Sequence, residues 1–180
     1  DFVRMEKYRR NDNFEDFCLA AFQQLEFIIN NLCKREEFIE YLKQNRNLSP
    51  LYRFDKLTNA YYRFGNQTIG KLIFRTSNVK GEVDNNLAKN PSDWNFGSRL
   101  RAVIFYYYFN KVLKSSEDGF NKIYDLGNFL YQGRNLNHRG SDHYENQKAV
   151  IEDLTLNQHK LYFRFLGFLE DFITGINPNL

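Results

Sequence analysis

Residues 131–144 concentrate the side chains best suited to chemistry. The segment reads YQGRNLNHRGSDHY and contains two arginines, two asparagines and two of the three histidines of the chain. Arginine presents a permanently charged fork of N–H donors, and histidine gives or takes a proton near neutral pH. Such residues can hold a phosphate group and move a proton beside it, so this segment is the candidate site.

Arg134 and His138 form the most suitable pair in this segment. Four residues apart on an α-helix, they would share one face and lie about 6 Å apart along the axis. The pair suits metal-independent cleavage of RNA, in which the 2′-hydroxyl attacks the adjacent phosphorus. His138 would assist proton transfer and Arg134 would stabilise the charge on the phosphoryl oxygens. Asn135 or Asn137 would orient the imidazole or donate to a phosphate oxygen.

Other polar residues would complete this site. We expect the substrate-binding residues to be Asn137, Arg139, His143 and Tyr144. The alternative interpretation of Arg134 and His138 is a solvated helix end, where cations favour the negative pole of the helix and Gly140 supplies the C-cap. For His143 and Tyr144 the simpler interpretation is that they are loop residues.

The composition disfavours several other functional classes. The net charge of +3 and the pI of about 8.8 permit an RNA partner without indicating a dedicated nucleic-acid-binding face. Acidic residues are scattered, so a metal-dependent hydrolase is not favoured, and we expect no metal or other cofactor. No stretch of about 18 apolar residues and no secretory signal occurs, so we expect no membrane association and a cytoplasmic location.

The apolar residues are sufficient for the core of one domain. Hydrophobic residues make up 42% of the chain and aromatic residues 17%, which removes the need for a disulfide or a structural metal. Cys18 and Cys33, the only cysteines, lie within apolar helical patterns, so we predict buried, unreactive thiols. Tyr106–Tyr108 could stack on RNA bases, but we favour a core or a dimer interface for this run. We expect His159 to lie at the surface.

Helical periodicity dominates the start of the chain. Residues 1–12 predict a polar tail or a helix extension, followed by a single helical domain over residues 13–177. Asn13 is a plausible N-cap, and apolar residues then recur every three or four positions from Phe14 to Leu32. A second helix is predicted over Arg35–Gln44.

The middle of the chain mixes helix signals with polar stretches. Ser49 followed by Pro50 predicts the start of a helix over Leu51–Phe64. Thr68–Thr76 predicts either a strand or a short helix. Residues 77–97 predict a long loop, with one helical turn at Ser92–Trp94.

Three further features complete the predicted elements. Ser98 is the expected N-cap of a helix over Arg99–Leu113. Apolar residues from Phe120 to Leu130 predict a helix that runs into Arg134, and Thr155–Ile176 predicts the final helix. The sum is an all-α fold of about five to six helices in an antiparallel bundle.

The polar segment and the order of helices resemble the HEPN family of helical domains. Members carry an arginine, a polar residue that is often asparagine, and a histidine at the end of the penultimate long helix, matched here by Arg134, Asn135 and His138. Three residues separate Arg134 from His138, one fewer than is usual in the family. The resemblance could span most of residues 13–176.

The resemblance implies a metal-independent endoribonuclease of a toxin, anti-phage or other defence system. It also implies a homodimer whose two motifs face one composite site, with RNA as substrate. A cognate antitoxin or a regulatory domain is a further implied partner. Other members keep the fold without activity, so the alternative is a non-catalytic helical domain that binds RNA or a protein.

Overall fold

The computed structural model describes residues 2–49, 51–55, 60–63, 68–75, 81–106, 117–137 and 145–176. These residues are mainly α-helical, as predicted. They contain nine α-helices rather than the predicted five to six, together with one antiparallel pair of strands. The helices are α1 (Phe2–Arg10), α2 (Phe14–Cys33), α3 (Glu36–Asn45), α4 (Ile69–Phe74), α5 (Glu82–Ala88), α6 (Phe96–Ile104), α7 (Glu117–Gly133), α8 (Glu145–Leu156) and α9 (Gln158–Ile176). The strands are β1 (Leu51–Asp55) and β2 (Ala60–Arg63).

The chain divides into two compact units. The first comprises Asp1–Phe27 and Asp125–Leu180, and the second comprises Ile28–Tyr124. The boundaries fall within helices α2 and α7. Two expectations from the sequence stay predictions. They are the single domain over residues 13–177 and the antiparallel arrangement of its helices in a bundle.

Asn13 starts helix α2 in the first unit, as predicted. Its Oδ1 accepts a hydrogen bond from the backbone N–H of Asp16 at 3.1 Å, and its Nδ2 donates to the carboxylate of Asp16 at 2.8 Å. This side chain therefore satisfies one of the unpaired N–H groups of the first turn. The N-terminal residues before it form helix α1 rather than an irregular tail.

Aromatic side chains build much of the core of the first unit. The ring of Tyr162 meets Phe14 and Phe17 edge to face, with centroids 5.1 and 4.8 Å apart. Such edge-to-face pairs are a favoured packing of aromatic rings. The fully buried side chains around them include Met5, Cys18, Leu25, Phe165, Leu169 and Phe172.

Tyr106 is a core residue of the second unit. It is 3% exposed, and its ring meets Phe38 and Tyr41 with centroids 5.3 and 5.1 Å apart. This confirms the core interpretation for the first residue of the tyrosine run. The other two tyrosines lie outside the described residues.

The helix predicted over Leu51–Phe64 is wrong. Strands β1 and β2 pair there in an antiparallel register, with Leu51 opposite Arg63 and Tyr52 opposite Tyr62. The segment is rich in tyrosine and phenylalanine, which favour strands, and its apolar positions fit either period. The cap signal of Ser49 and Pro50 was therefore outweighed by strand propensity.

Three other segments can be compared with the sequence prediction, and the last two of them differ from it. Of the two alternatives at 68–76 the short helix is correct, because α4 begins there with Thr68 as its N-cap. The loop predicted over 77–97 contains helix α5, while its expected helical turn is a 3-10 turn at Pro91–Asp93. The final helix is interrupted near Asn157, which separates α8 from α9.

Ser98 does not cap helix α6. Asn95, three residues earlier, accepts a hydrogen bond from the backbone N–H of Ser98 at 2.8 Å and takes the N-cap position. Both residue types are good caps. Asn95 prevails because starting the helix there buries Phe96.

Candidate functional site

Helix α7 ends at Gly133, at a close approach to helix α2. A Cβ atom added to this buried glycine would lie 3.1 Å from both the Cβ and the Sγ of Cys18. Any larger residue would have to push against a thiol that is itself fully buried. The glycine therefore lets the end of α7 contact α2 and fixes where the next residue, Arg134, emerges.

Two aromatic rings hold the guanidinium of Arg134. It lies 4.0 Å from the ring centroid of Tyr131 and 5.0 Å from that of Phe22. The two rings meet edge to face at 5.6 Å. A cation over a ring face is attracted by the ring quadrupole, by about 0.5–1 kcal/mol at exposed sites and more when desolvated. The half-buried guanidinium is thus oriented by rings on two helices.

The charge of Arg134 is not neutralised by the residues around it that the structure describes. The ion pairs found among the described residues include those of Glu6 with Arg9 and Arg10, but none joins Arg134 to a described carboxylate. A cation at the C-terminal end of α7 also faces the negative pole of the helix, which is favourable. The site can therefore offer an oriented positive charge to an anion.

The geometry predicted for Arg134 needs a correction. Arg134–Asn137 forms a 3-10 turn after α7 rather than an α-helical continuation. In a 3-10 turn, residues three apart share a face. The α-helical conformation expected at Arg134 is therefore replaced by a 3-10 turn, while His138 lies outside the described residues. Asn135 lies half-buried on this turn.

The remaining predicted site residues lie outside the described residues. These are His138, Arg139, His143 and Tyr144. The proposed C-cap, Gly140, also lies outside the described residues. Asn137 ends the 3-10 turn. His159 is exposed at the start of α9, as predicted.

The two cysteines are buried and free, as predicted. Burial raises the pKa of the Cys33 thiol to about 12, although the positive charge of Arg99 acts in the opposite direction. Burial also raises the pKa of the Cys18 thiol well above its usual range. Both thiols are protonated at neutral pH, and a protonated thiol is a poor nucleophile.

The described ranges contain neither a metal-binding cluster nor a membrane-spanning helix. Within them, no group of three or more His, Cys, Asp or Glu side chains is arranged to hold a metal ion. No helix in those same ranges combines the length and the apolar character needed to cross a bilayer.

Sequence patterns gave no indication of a buried arginine in the second unit. Arg101 is 5% exposed and donates three hydrogen bonds, to the carbonyl of Ile73 at 2.6 Å, to the hydroxyl of Tyr124 at 2.9 Å and to Oγ of Ser98 at 3.3 Å. Burial lowers its pKa, and the nearby charge of Arg75 acts in the same direction. The sequence signal that could have revealed it is the position of Arg101 among the apolar residues Leu100, Ala102 and Val103 of α6.

Arg101 has a structural role in the second unit. Its three acceptors come from helices α4, α6 and α7, so one guanidinium connects all three. Its guanidinium and that of Arg75 both lie over the ring of Tyr124, at 5.1 and 5.0 Å. Three of its N–H groups are used in hydrogen bonds within the second unit.

Relatives offer no further assignment of these residues. The argument for a function rests on the chemistry of Arg134 and its neighbours. Comparison of the chain with protein-family models, with curated proteins and with solved structures finds no match.

Proposed function

We propose that the chain is a HEPN-like, metal-independent endoribonuclease. Arg134, His138 and Asn135 are its catalytic groups, and Asn137, Arg139, His143 and Tyr144 contact the RNA. The single observation that carries the proposal is the position of the Arg134 guanidinium. It lies over the rings of Tyr131 and Phe22, with no described carboxylate paired with it.

The reaction is an internal transfer at phosphorus. The RNA 2′-oxygen loses its proton and bonds to the adjacent phosphorus, while the bond from phosphorus to the 5′-oxygen breaks. The products are a 2′,3′-cyclic phosphate and a 5′-hydroxyl. His138 takes part in these proton transfers, and Arg134 stabilises the negative charge that builds on the non-bridging oxygens.

The aromatic contacts of Arg134 favour this role. The two rings hold the centre of the guanidinium, and the N–H groups of an arginine form a fork that suits phosphate oxygens. Partial burial lowers the local dielectric and so strengthens the attraction to a phosphoryl group. An arginine held in this way needs little reorganisation when the substrate binds.

The resemblance to HEPN domains extends the proposal to assembly and biology. A homodimer would bring two such arginines to one composite site. The activity would then act in a toxin or defence system, with a cognate antitoxin or regulatory domain as partner.

Cleavage of a labelled RNA in EDTA tests the activity. We expect the wild type to cleave and both Arg134→Ala and His138→Ala to lose cleavage. The matched controls are His159→Ala and Arg164→Ala, which replace exposed residues of α9 and should cleave normally. Unchanged cleavage in the Arg134 and His138 variants would sink the assignment of the site.

A non-catalytic helical domain that binds RNA or a protein is the second candidate. The same oriented arginine supports RNA binding, because it can contact a backbone phosphate without any proton transfer. This candidate is favoured if the wild type retains RNA in a gel-shift assay but never cleaves it. Arg134→Ala should then weaken binding while His138→Ala has little effect.

A further inference from the structure

Two adjoining clefts in the second unit are lined by residues other than the proposed catalytic ones. The smaller has a volume of about 290 Å³ and lies between the C-terminal end of α2 and the 3-10 turn at Pro91–Asp93. The larger has a volume of about 630 Å³ and continues along helix α3. They share Cys33, Lys34, Asn90 and Pro91, so one ligand can extend through both.

The smaller cleft is rich in hydrogen-bond donors. Asn30 Oδ1 accepts a hydrogen bond from the guanidinium of Arg99, and Asn90 Oδ1 accepts from both the backbone N–H and the hydroxyl of Ser92 at 3.0 Å. Both amide oxygens are thus used internally, which leaves the two amide NH₂ groups as donors.

The charge of the smaller cleft agrees with its donors. Lys34 and Arg99 line it, and none of its described lining residues is a carboxylate. Lys34 is exposed, whereas Arg99 is half-buried and held by Asn30. Cationic groups and amide donors around a small concave space are the recognition chemistry of a phosphate group.

The larger cleft has the opposite polarity. Three carboxylates of helix α3 line it, Glu36, Glu37 and Glu40, against the two lysines Lys34 and Lys43. Carboxylates accept hydrogen bonds from ribose hydroxyls in nucleotide-binding proteins. Ile39 and Pro91 add apolar lining for a ring, and the volume falls in the usual range of small-molecule sites.

We propose that the two clefts bind a nucleoside monophosphate. The phosphate lies in the smaller cleft beside Lys34 and Arg99, and the nucleoside lies in the larger cleft with its hydroxyls toward the carboxylates of α3. The clefts are expected to bind the nucleotide without reacting with it, because the Cys33 thiol that lines both clefts is protonated and is therefore a poor nucleophile. It does not depend on the ribonuclease proposal.

Isothermal titration calorimetry of the full chain tests this site. The titrants are the 5′-monophosphates of adenosine, guanosine, cytidine and uridine, together with adenosine and inorganic phosphate alone. We expect at least one nucleotide to bind more tightly than either fragment, because only the nucleotide uses both clefts. The site is overturned if none of the four binds at millimolar concentration, and the nucleoside half is overturned if inorganic phosphate binds as tightly.

A charge-removing variant locates the phosphate. Lys34→Gln should weaken nucleotide binding at least about tenfold, since it removes a hydrogen bond to a charged group. The matched control is Lys122→Gln, an exposed lysine of the same unit that lines neither cleft. Equal affinity in Lys34→Gln contradicts the proposal. A short RNA that binds through Lys34 more tightly than any mononucleotide would assign the site to a polymer backbone instead.

Discussion

The guanidinium of Arg134 lies 4.0 Å from the ring centroid of Tyr131, three residues before it in the chain. The second ring, from Phe22, belongs to α2 and is distant in sequence. The local contact orients the arginine at the end of α7, and the tertiary contact fixes it against α2. Both should matter to any function that uses the charge of Arg134.

Replacement of Tyr131 tests the first contact. Tyr131→Leu removes the ring but keeps an apolar side chain, so the free energy of unfolding should fall by about 1 kcal/mol and RNA cleavage by several-fold. Tyr131→Phe keeps the ring face and should retain both. Urea unfolding and cleavage rates measure these effects. A Tyr131→Leu variant that matches the wild type in both would show that the ring does not position Arg134.

Gly133 and Gly167 should respond to alanine in opposite directions. Alanine is the better helix former by about 1 kcal/mol, but a Cβ at Gly133 meets Cys18 at 3.1 Å. Because Cys18 is fully buried, Gly133→Ala should lose about 1–3 kcal/mol of stability. A Cβ at Gly167 meets nothing within 4 Å, so Gly167→Ala should gain up to about 1 kcal/mol. Thermal unfolding of the two variants measures these changes. Equal shifts in melting temperature for both variants would contradict the close contact between Gly133 and Cys18.

Arg101 should be the most sensitive charged residue of the second unit. Arg101→Met leaves the Ile73 carbonyl, the Tyr124 hydroxyl and Ser98 without this donor. Leaving buried polar groups unpaired should cost roughly 3 kcal/mol in urea unfolding. Arg164→Met, at an exposed position, should change stability by less than about 0.5 kcal/mol. Similar losses in the two variants would contradict the connecting role of Arg101.

Stability should fall under alkaline conditions because of the buried thiols. The pKa values of Cys18 and Cys33 are raised in the folded state, the latter to about 12. The unfolded chain therefore releases these protons first, from about pH 8.5 upward. The stabilising contribution is complete below that pH and is lost as pH rises toward the folded pKa, by up to about 1.4 kcal/mol per pH unit for each group.

A cysteine variant isolates this effect. Cys33→Ala should show a shallower fall in the free energy of unfolding between pH 8.5 and 11 than the wild type. The pKa of the Tyr162 hydroxyl is also raised, chiefly by burial, so some alkaline dependence should remain. Identical slopes for wild type and Cys33→Ala would show that this thiol titrates normally in the folded protein.

Long periodic segments made part of this fold predictable. The helices that became α2, α3 and α7 follow clear three- and four-residue patterns, and the Asn13 cap was evident from residue type. The strands within Leu51–Phe64 were not predictable, because the aromatic residues of this segment suit a strand as well as a helix. The short helices α4 and α5 offered too few residues for a period to show.

The candidate site was predictable only in its residue types. Arg134 could be identified as a candidate from the polar residues next to it in sequence. Tyr131 lies three residues earlier, which is close enough for a contact with Arg134 to be predictable. Its contact with Phe22 depends on the packing of α7 against α2, which no local pattern contains. The 3-10 turn after Gly133 was also not predicted, because 3-10 turns often end α-helices and the four residues of this turn are too few to show a period.

Cleavage of a substrate with a single scissile ribonucleotide tests the central claim most directly. The oligonucleotide is incubated with wild type in EDTA, and the ends of the products are identified by mass spectrometry. The proposal predicts a 2′,3′-cyclic phosphate and a 5′-hydroxyl, no cleavage when that ribonucleotide is 2′-deoxy, and loss of cleavage in Arg134→Ala. Cleavage of the 2′-deoxy substrate, or undiminished cleavage by Arg134→Ala, would contradict it.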